Sequence, residues 1–265
     1  MYIEVAAHQG NQAGFPPNTM PAYKSAYEIG ADMIECDMHM TKDGHIVMNH
    51  DATLDRTTDV SGVIRELTLD EIKRADAGIK FGAEWKGVRI PTLNELCEYA
   101  VKTDTKMQFN FEFKVRNTDS PAEWVKICAD KIIETIDNYG LWDRSFVNSF
   151  DGKLLKYIDE KYDGRFRLHG FYPYDILGEE KPDNLYCACL WKRRYPDGTG
   201  AFEGVVNPKE DFDALIKEGV RPWVGASIKT IEDMKHAASL GAELITSNDP
   251  AYMIRELELA GLRNK

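Results

Sequence analysis

Short apolar runs alternate with helical patterns along the whole chain, and this alternation limits the fold more than any other feature. Eight runs are typical of buried parallel strands: residues 3–7, 33–37, 107–114, 145–149, 166–169, 204–207, 222–227 and 243–247. Helical patterns lie between them, at residues 19–29, 92–102, 121–138, 152–161, 209–218 and 230–240. Eight strands alternating with helices predict an α/β protein, a (β/α)8 TIM barrel, rather than an open sheet. A ninth apolar run, residues 186–190, has no place in this scheme.

One segment interrupts the alternation. The turn Thr41-Lys42-Asp43-Gly44 separates two extended runs by too few residues for a parallel crossover, so a hairpin is predicted there. A hairpin folded back over the barrel mouth would bring His50 near Glu35 and Asp37. We expect residues 51–90 to be an insertion that caps the same mouth, within a single domain spanning residues 1–265.

Acidic and basic side chains recur where these extended runs end. In a barrel of this type the carboxyl ends of the strands converge on one face, where the chemistry is done. Glu35 and Asp37 are two residues apart on one strand, so their side chains share a face and would need a cation. Glu112 can supply a third carboxylate and Lys114 a fixed positive charge. Solvated strand ends, or a plain Glu112–Lys114 ion pair, are the simpler alternatives.

Two histidines, His8 and His50, also follow apolar runs and would lie beside these carboxylates. Histidine suits acid and base catalysis because its pKa lies near neutral pH, so we interpret the two as an acid/base pair. A set of carboxylate oxygens favours Mg²⁺ or Ca²⁺ over softer metals. The remaining histidines lack this context and are interpreted as surface or core residues: His39, His45, His169 and His236.

Composition and charge limit the kinds of binding partner that the protein can have. A net charge of −11 argues against binding to nucleic acid or to an anionic membrane surface. No apolar run approaches the roughly 18 residues of a membrane span, so stable membrane insertion is not expected. Five scattered cysteines fit free thiols in a reducing compartment, and the first residues lack the pattern of a signal peptide. We therefore expect a cytoplasmic protein with a small-molecule substrate; homo-oligomer formation is left open.

The ordered motifs resemble those of the glycerophosphodiester phosphodiesterase family. The matching motifs are His8-Gln9-Gly10, Pro16-Pro17-Asn18-Thr19, Glu35-Cys36-Asp37, Thr41-Lys42-Asp43-Gly44, His50-Asp51, Asp55-Arg56-Thr57-Thr58, Pro91-Thr92-Leu93 and Glu112-Phe113-Lys114. The resemblance is dense over residues 5–114 and thin over residues 165–205. It implies a barrel with a small insertion at the mouth, and hydrolysis of a small phosphodiester to glycerol 3-phosphate and an alcohol with a divalent cation.

Carried over residue by residue, the resemblance implies a role for each group at the strand ends. Glu35, Asp37 and Glu112 resemble the metal ligands. His8 and His50 resemble the catalytic acid/base pair, in either order. Lys114 resembles a residue that neutralises the phosphate. The resemblance does not distinguish between Mg²⁺ and Ca²⁺.

The chain departs from the family pattern at several substrate contacts. Gln9 stands where the family has arginine, and Pro17 where it has glutamate. Where the family has Trp-Thr-Val-Asn, this chain has Ala226-Ser227-Ile228-Lys229, with Trp223 three residues earlier. We expect Gln9, Asn18 and Trp223 to contact the substrate together with Lys114, in a site whose phosphate and alcohol contacts are altered.

Two other functions remain open at this stage. One is a phosphodiesterase of the same barrel acting on a different substrate, either lysophospholipase D-like or sphingomyelinase D-like. The other is a non-catalytic binding protein that retains the barrel. Both histidines and all three carboxylates are present, which favours an enzyme.

Overall fold

Eight parallel strands form a closed barrel in the computed structural model, which describes residues 2–103, 106–191 and 205–264. The barrel strands are β1 (Glu4–Ala7), β2 (Met33–Met40), β4 (Gln108–Phe113), β5 (Ser145–Asn148), β6 (Arg167–Tyr172), β7 (Cys187–Leu190), β8 (Arg221–Val224) and β9 (Leu244–Ser247). They are hydrogen-bonded in the order β1-β9-β8-β7-β6-β5-β4-β2, and pairing of β1 with β2 closes the ring. The predicted TIM barrel is confirmed.

Helices surround the barrel. They are α1 (Met20–Glu28), α3 (Leu93–Lys102), α4 (Ala122–Asn138), α5 (Gly152–Lys161), α6 (Lys209–Lys217), α7 (Ile231–Ser239) and α8 (Pro250–Leu259), with the short α2 (Leu69–Ile72) outside the alternation. Side-chain caps start several of them, as where Thr92 and Glu95 form a capping box on α3. Helix α8 was not predicted, although Asp249 as N-cap followed by Pro250 is a start signal.

The assignment of one strand was wrong. The sixth barrel strand is β7, which lies within the apolar run at 186–190 that had no place in the sequence scheme. It pairs with β6 on one side and β8 on the other. Residues 205–207, the described part of the predicted strand at 204–207, do not form a strand, and residue 204 lies outside the described residues. Four buried residues are enough for a strand flanked on both edges, which makes such a run hard to rank against its neighbours.

The predicted hairpin is present. Strand β3 (Ile46–Met48) pairs antiparallel with the end of β2, and Gly44 occupies the left-handed region at φ 82° in the turn between them. Residues 51–90 follow, and their apolar side chains, together with Val47 of β3, form a small cluster separate from the main core. Its buried members are Val47, Leu54, Ile64, Ile72, Ala75, Ala77 and Ile90. The segment also contains the short helix α2, Leu69–Ile72.

Side chains inside the barrel form successive layers. The layer at the amino ends of the strands is polar and internally hydrogen-bonded, and consists of Glu4, Gln108, Arg167 and Arg221. Two residues further along the same four strands, and therefore on the same face, lie Ala6, Asn110, His169 and Trp223. Asp37, Glu112 and Lys114 lie beyond this second layer, toward the carboxyl ends, whereas Glu35 is the register partner of Asn110.

All five cysteines are buried and free. Among the helices that the structure describes, none has the length and apolar character needed to cross a membrane.

Candidate active site

Three carboxylates meet at the carboxyl ends of β2 and β4. Asp37 and Glu112 are direct partners in the register of the two strands, and Glu35 lies two residues before Asp37 on the same face. One oxygen from each of the three lies within 4.8 Å of the others, and all three residues are buried. The strand register therefore brings together the three carboxylates that the sequence spacing placed at the ends of these strands.

The three carboxylates of this cluster repel one another. Burial, with Asp37 and Glu112 nearby, raises the pKa of Glu35 well above its ordinary value. Glu35 Oε2 accepts a hydrogen bond from the backbone N–H of Gln9 at 2.9 Å. Within the described part of the chain, Glu35 Oε1 is buried with no hydrogen-bond partner. A cation bound by these oxygens would relieve both the repulsion and the unpaired oxygen.

Lys114 lies between two of the carboxylates. Its Nζ is 2.7 Å from Glu112 Oε1 and 3.1 Å from Asp37 Oδ1, and its side chain is only 8% exposed. Burial alone would lower the pKa of Lys114, but Glu112 and Asp37 raise it above the ordinary value. The ammonium is thus permanently charged, and much of its charge is engaged by the carboxylates.

Gln9 and Asn18 lie against Asp37. Both side-chain amides donate to Asp37 Oδ2, at 2.7 Å from Gln9 Nε2 and 2.8 Å from Asn18 Nδ2. Burial opposes ionisation of Asp37, yet Lys114, His50 and Asn18 together lower its pKa. Both residues have left-handed backbone conformations, with φ of 55° and 56°. The structure therefore places Gln9 and Asn18 as supports of a carboxylate, which differs from the expected substrate contact.

His8 is held by neutral amides. Its Nδ1 is 2.5 Å from Asn248 Oδ1 and 2.8 Å from Gln12 Nε2, while its Nε2 lies 3.9 Å from Glu35 Oε2. An N–H on Nδ1 donating to Asn248 would leave Nε2 with a lone pair beside the carboxylates. No sequence pattern indicates Asn248, because this contact joins residues 240 positions apart.

His50 is held by a carboxylate. Its Nδ1 is 2.6 Å from Asp51 Oδ1, and Asp51 is also paired with Arg56, whose Nε lies 2.6 Å from Asp51 Oδ2. The hydrogen bond from Arg56, aided by His50 and opposed by partial burial, lowers the pKa of Asp51 to about 2. His39 supports the same segment, with its Nε2 3.2 Å from the backbone carbonyl oxygen of His50. The hairpin thus delivers His50 with an ionised partner.

A cavity of about 540 Å³ opens over these groups. Five of the predicted residues line it: His8, Glu35, His50, Glu112 and Lys114. Trp223 is placed elsewhere, in the barrel interior with no exposed surface. Its ring stacks on His169 at 4.1 Å and its indole N–H donates to Thr246 Oγ1 at 2.8 Å. The expectation that Trp223 contacts the substrate is therefore corrected, because its polar group is already used inside the core.

Several cavity residues were not among the predicted site residues. Those with polar side chains are Asn110, Arg116, Asn148, His169, Ser227 and Thr246, and those with aromatic side chains are Phe150, Phe171 and Trp191. Arg116 continues the i, i+2 spacing of Glu112 and Lys114, which was a usable signal. Its guanidinium lies over the Phe150 ring at 4.8 Å, and its Nη2 is 3.7 Å from Glu112 Oε1.

A barrel with carboxylates, histidines and a lysine clustered at the carboxyl ends of its strands is typical of TIM-barrel enzymes. Comparison with known proteins identifies the family within that class. The model of the glycerophosphoryl diester phosphodiesterase family matches residues 8–195. The chain belongs to this family.

Individual relatives agree with the assignment. The glycerophosphodiester phosphodiesterase of Caldanaerobacter subterraneus subsp. tengcongensis is 34% identical over 238 residues, which cover 82% of this chain and 90% of that protein. The glycerophosphodiester phosphodiesterase of Bacillus altitudinis is 36% identical over 257 residues, or 96% of this chain and 98% of that protein. Among solved structures, an Oleispira antarctica phosphodiesterase in complex with the product sn-glycerol-3-phosphate has the same fold, with a TM-score of 0.77 at 20% identity, covering 97% of each chain.

Proposed function

We propose that this chain hydrolyses glycerophosphodiesters to sn-glycerol 3-phosphate and an alcohol with the aid of a divalent cation. The observation that carries the proposal is the buried carboxylate cluster beneath a cavity that two histidines and a lysine also line. The named activities of the relatives in Caldanaerobacter and Bacillus support it. We also propose that residues 1–265 act as one domain, in which residues 51–90 cap the cavity.

We assign the cation to Glu35, Asp37 and Glu112. The fit rests on the unpaired Glu35 Oε1 and on the raised pKa of Glu35, which both reflect a missing positive charge. Oxygen donors of this kind suit Mg²⁺ or Ca²⁺. A bound ion would supply Lewis-acid stabilisation of the phosphoryl oxygens. Gln9 and Asn18 would keep Asp37 ionised and oriented toward it.

The partners of the two histidines suggest how they divide the proton transfers. His50 is paired through Nδ1 with the Asp51 carboxylate, an arrangement that suits the group that protonates the leaving alkoxide. His8 has the neutral amide of Asn248 as its Nδ1 partner, which suits a base with its lone pair on Nε2. We therefore propose His50 as the acid and His8 as the base. The nucleophile that His8 deprotonates is water or a hydroxyl of the substrate.

Arg116 is our candidate for the main phosphate contact. Lys114 was expected to neutralise the phosphate, but its ammonium is already shared between Asp37 and Glu112. Arg116 makes one long contact with Glu112, and in the described residues its buried Nε has no hydrogen-bond partner. A guanidinium with a free N–H is well suited to hold a phosphate oxygen. Lys114 would then stabilise the carboxylates, and its positive charge would also favour binding of the phosphate.

A second substrate class is favoured by one wall of the cavity. Phe150 and Phe171 stack with ring centroids 3.4 Å apart, and Trp191 packs edge-on against Phe150 at 5.2 Å. This aromatic wall, formed by Phe150, Phe171 and Trp191, would accommodate an apolar substituent. A lysophospholipase D-like activity, in which the diester carries an acyl chain, is therefore the alternative that we propose to test beside the first.

The test is the release of products from a panel of diesters with Mg²⁺, Ca²⁺ or EDTA. We expect cation-dependent release of sn-glycerol 3-phosphate from glycerophosphodiesters. Faster cleavage of lysophospholipids would favour the second class. Cation-dependent cleavage of bis(p-nitrophenyl) phosphate alone would mean a different natural substrate. The absence of turnover on every diester would favour a non-catalytic binding protein.

The cysteines bear on the cellular location of the protein. We propose a cytoplasmic location from the free, buried thiols.

A further inference from the structure

Beside the carboxylates, one part of the cavity wall consists of neutral polar side chains. Asn110 precedes Glu112 by two residues on β4, so it lies roughly 6.6 Å deeper along the strand. Asn148 and His169 are paired positions on β5 and β6. All three residues line the cavity, and we call them the polar shaft. Barrel interiors of this type are usually filled by bulky branched side chains, so an open polar interior needs a reason.

The polar shaft contains unused hydrogen-bonding atoms. Asn110, Asn148 and His169 are only 1%, 3% and 2% exposed. His169 Nδ1 lies 3.1 Å from Asn110 Oδ1, which accounts for one atom of each residue. Within the ranges that the structure describes, Asn110 Nδ2, Asn148 Oδ1 and His169 Nε2 have no hydrogen-bond partner. Buried polar atoms are nearly always paired in folded proteins, so three together at one cavity indicate a ligand.

The chemistry of these atoms defines what they can bind. The Asn110 amide oxygen only accepts, so His169 Nδ1 carries the hydrogen and Nε2 carries a lone pair. Burial lowers the pKa of His169 to about 3, so its ring is neutral near neutral pH. Among the described residues, the unpaired buried atoms of the polar shaft are then one donor, Asn110 Nδ2, and two acceptors, Asn148 Oδ1 and His169 Nε2. These three side chains carry no formal charge, and the register partners of Asn110 and Asn148 are the carboxylates Glu35 and Glu112, so an anionic group would lose its hydration there without an opposite charge in return.

We propose that the polar shaft binds a hydroxyl group of the substrate's glycerol moiety while the phosphate lies at the neighbouring carboxylates. A hydroxyl donates and accepts at once, as the free atoms of the shaft require. This inference rests on the proposed function and extends it by assigning the two alcohols of the diester. The neutral glycerol occupies the polar shaft, and the second alcohol lies toward the aromatic wall.

The test combines altered substrates with altered side chains. Glycerophosphoethanolamine is compared with two analogues that each lack one glycerol hydroxyl. For one analogue, kcat/KM of the wild type should fall about tenfold or more, because a buried partner loses its hydrogen bond. Asn148→Leu and His169→Phe should abolish that preference, and the phenyl ring can keep the stacking on Trp223. Cys189→Ala, which alters the same cavity without touching an unpaired atom, should preserve it.

Binding provides a readout that does not depend on turnover. Calorimetry with sn-glycerol 3-phosphate and propyl phosphate, each in the presence of Mg²⁺, should show tighter binding of the hydroxylated compound. Such a preference without any diester hydrolysis would support the polar shaft while contradicting the proposed function. Equal binding of the two compounds, or an unchanged hydroxyl preference in both Asn148→Leu and His169→Phe, would overturn the inference. The shaft would then hold only water.

Discussion

Gln9 departs from the family pattern, and in the structure its role is to support two carboxylates of the site. Its backbone N–H donates to Glu35 and its side chain to Asp37, so it connects two of the three carboxylates. The side chain is neutral, so the positive charge in direct contact with Asp37 comes from Lys114. Mutation of groups that orient metal ligands typically lowers metal affinity or activity by about 10- to 100-fold.

Replacing Gln9 by methionine tests this role. Gln9→Met keeps the side-chain length but removes the amide donor, and we expect cation affinity to fall by about 10- to 100-fold. Calorimetric titration with Mg²⁺ measures the change. Gln12→Met is the matched control, since Gln12 contacts His8 and Asn248 and neither contact involves a carboxylate. Unchanged affinity in Gln9→Met would refute the supporting role.

The two histidines make separable predictions because a good leaving group needs no acid. His50→Gln should lower kcat by about 10²- to 10⁴-fold on diesters with alkyl leaving groups. The same variant should lose little on bis(p-nitrophenyl) phosphate, because p-nitrophenolate leaves without a proton. His8→Gln should be impaired on both substrates. The reverse pattern would exchange the two assignments, and near-normal kcat in either variant on alkyl diesters would exclude it from the chemistry.

At the scale of elements, the segment after the hairpin determines where His50 lies. Strand β3 continues the barrel sheet with one antiparallel partner, and the chain then enters residues 51–90 with their own small apolar cluster. Asp51 and Arg56 lie in this segment, so the partner of His50 depends on its folding. A small cluster of this size should open more readily than the barrel.

Truncating one side chain of this cluster should loosen the segment selectively. Leu54 is fully buried, and Leu54→Ala should cost about 2–5 kcal/mol of local stability by leaving a cavity. We expect faster amide hydrogen exchange within residues 51–90 and a lower kcat, with barrel strands still protected. The matched variant Leu155→Ala removes an equally buried leucine from α5 and should spare both residues 51–90 and kcat. Uniform loss of protection in Leu54→Ala would contradict an independent cluster.

At the scale of the whole molecule, the barrel could be predicted from the sequence because buried strands and amphipathic helices have distinct periods. The i, i+2 rule for strands was sufficient to place Glu35 and Asp37 on one face, with Glu112 at the same end of the barrel. It could not rank two short apolar runs for the sixth strand, since β7 has only four residues. Nor could it find Asn248 beside His8, or the cavity at His169, because both depend on closure of the ring.

The two ends of the barrel differ in how well their polar side chains are hydrogen-bonded. The polar layer at the amino ends is internally satisfied, for instance where Arg221 reaches both Glu4 and Glu243. Toward the carboxyl ends, Glu35, Asn110, Asn148 and His169 each have a buried atom without a hydrogen-bond partner among the residues that the structure describes. This contrast follows the general division of such barrels into a stabilising face and a catalytic face.

The most direct test of the account is the cation dependence of sn-glycerol 3-phosphate release, measured beside cation binding on the same preparation. After EDTA treatment the wild type should be inactive, and Mg²⁺ or Ca²⁺ should restore release with a midpoint near its calorimetric Kd. Glu35→Gln should weaken both together, while the exposed Glu232→Gln should change neither. Full release in EDTA, or undiminished binding in Glu35→Gln, would contradict a cation site built from these carboxylates.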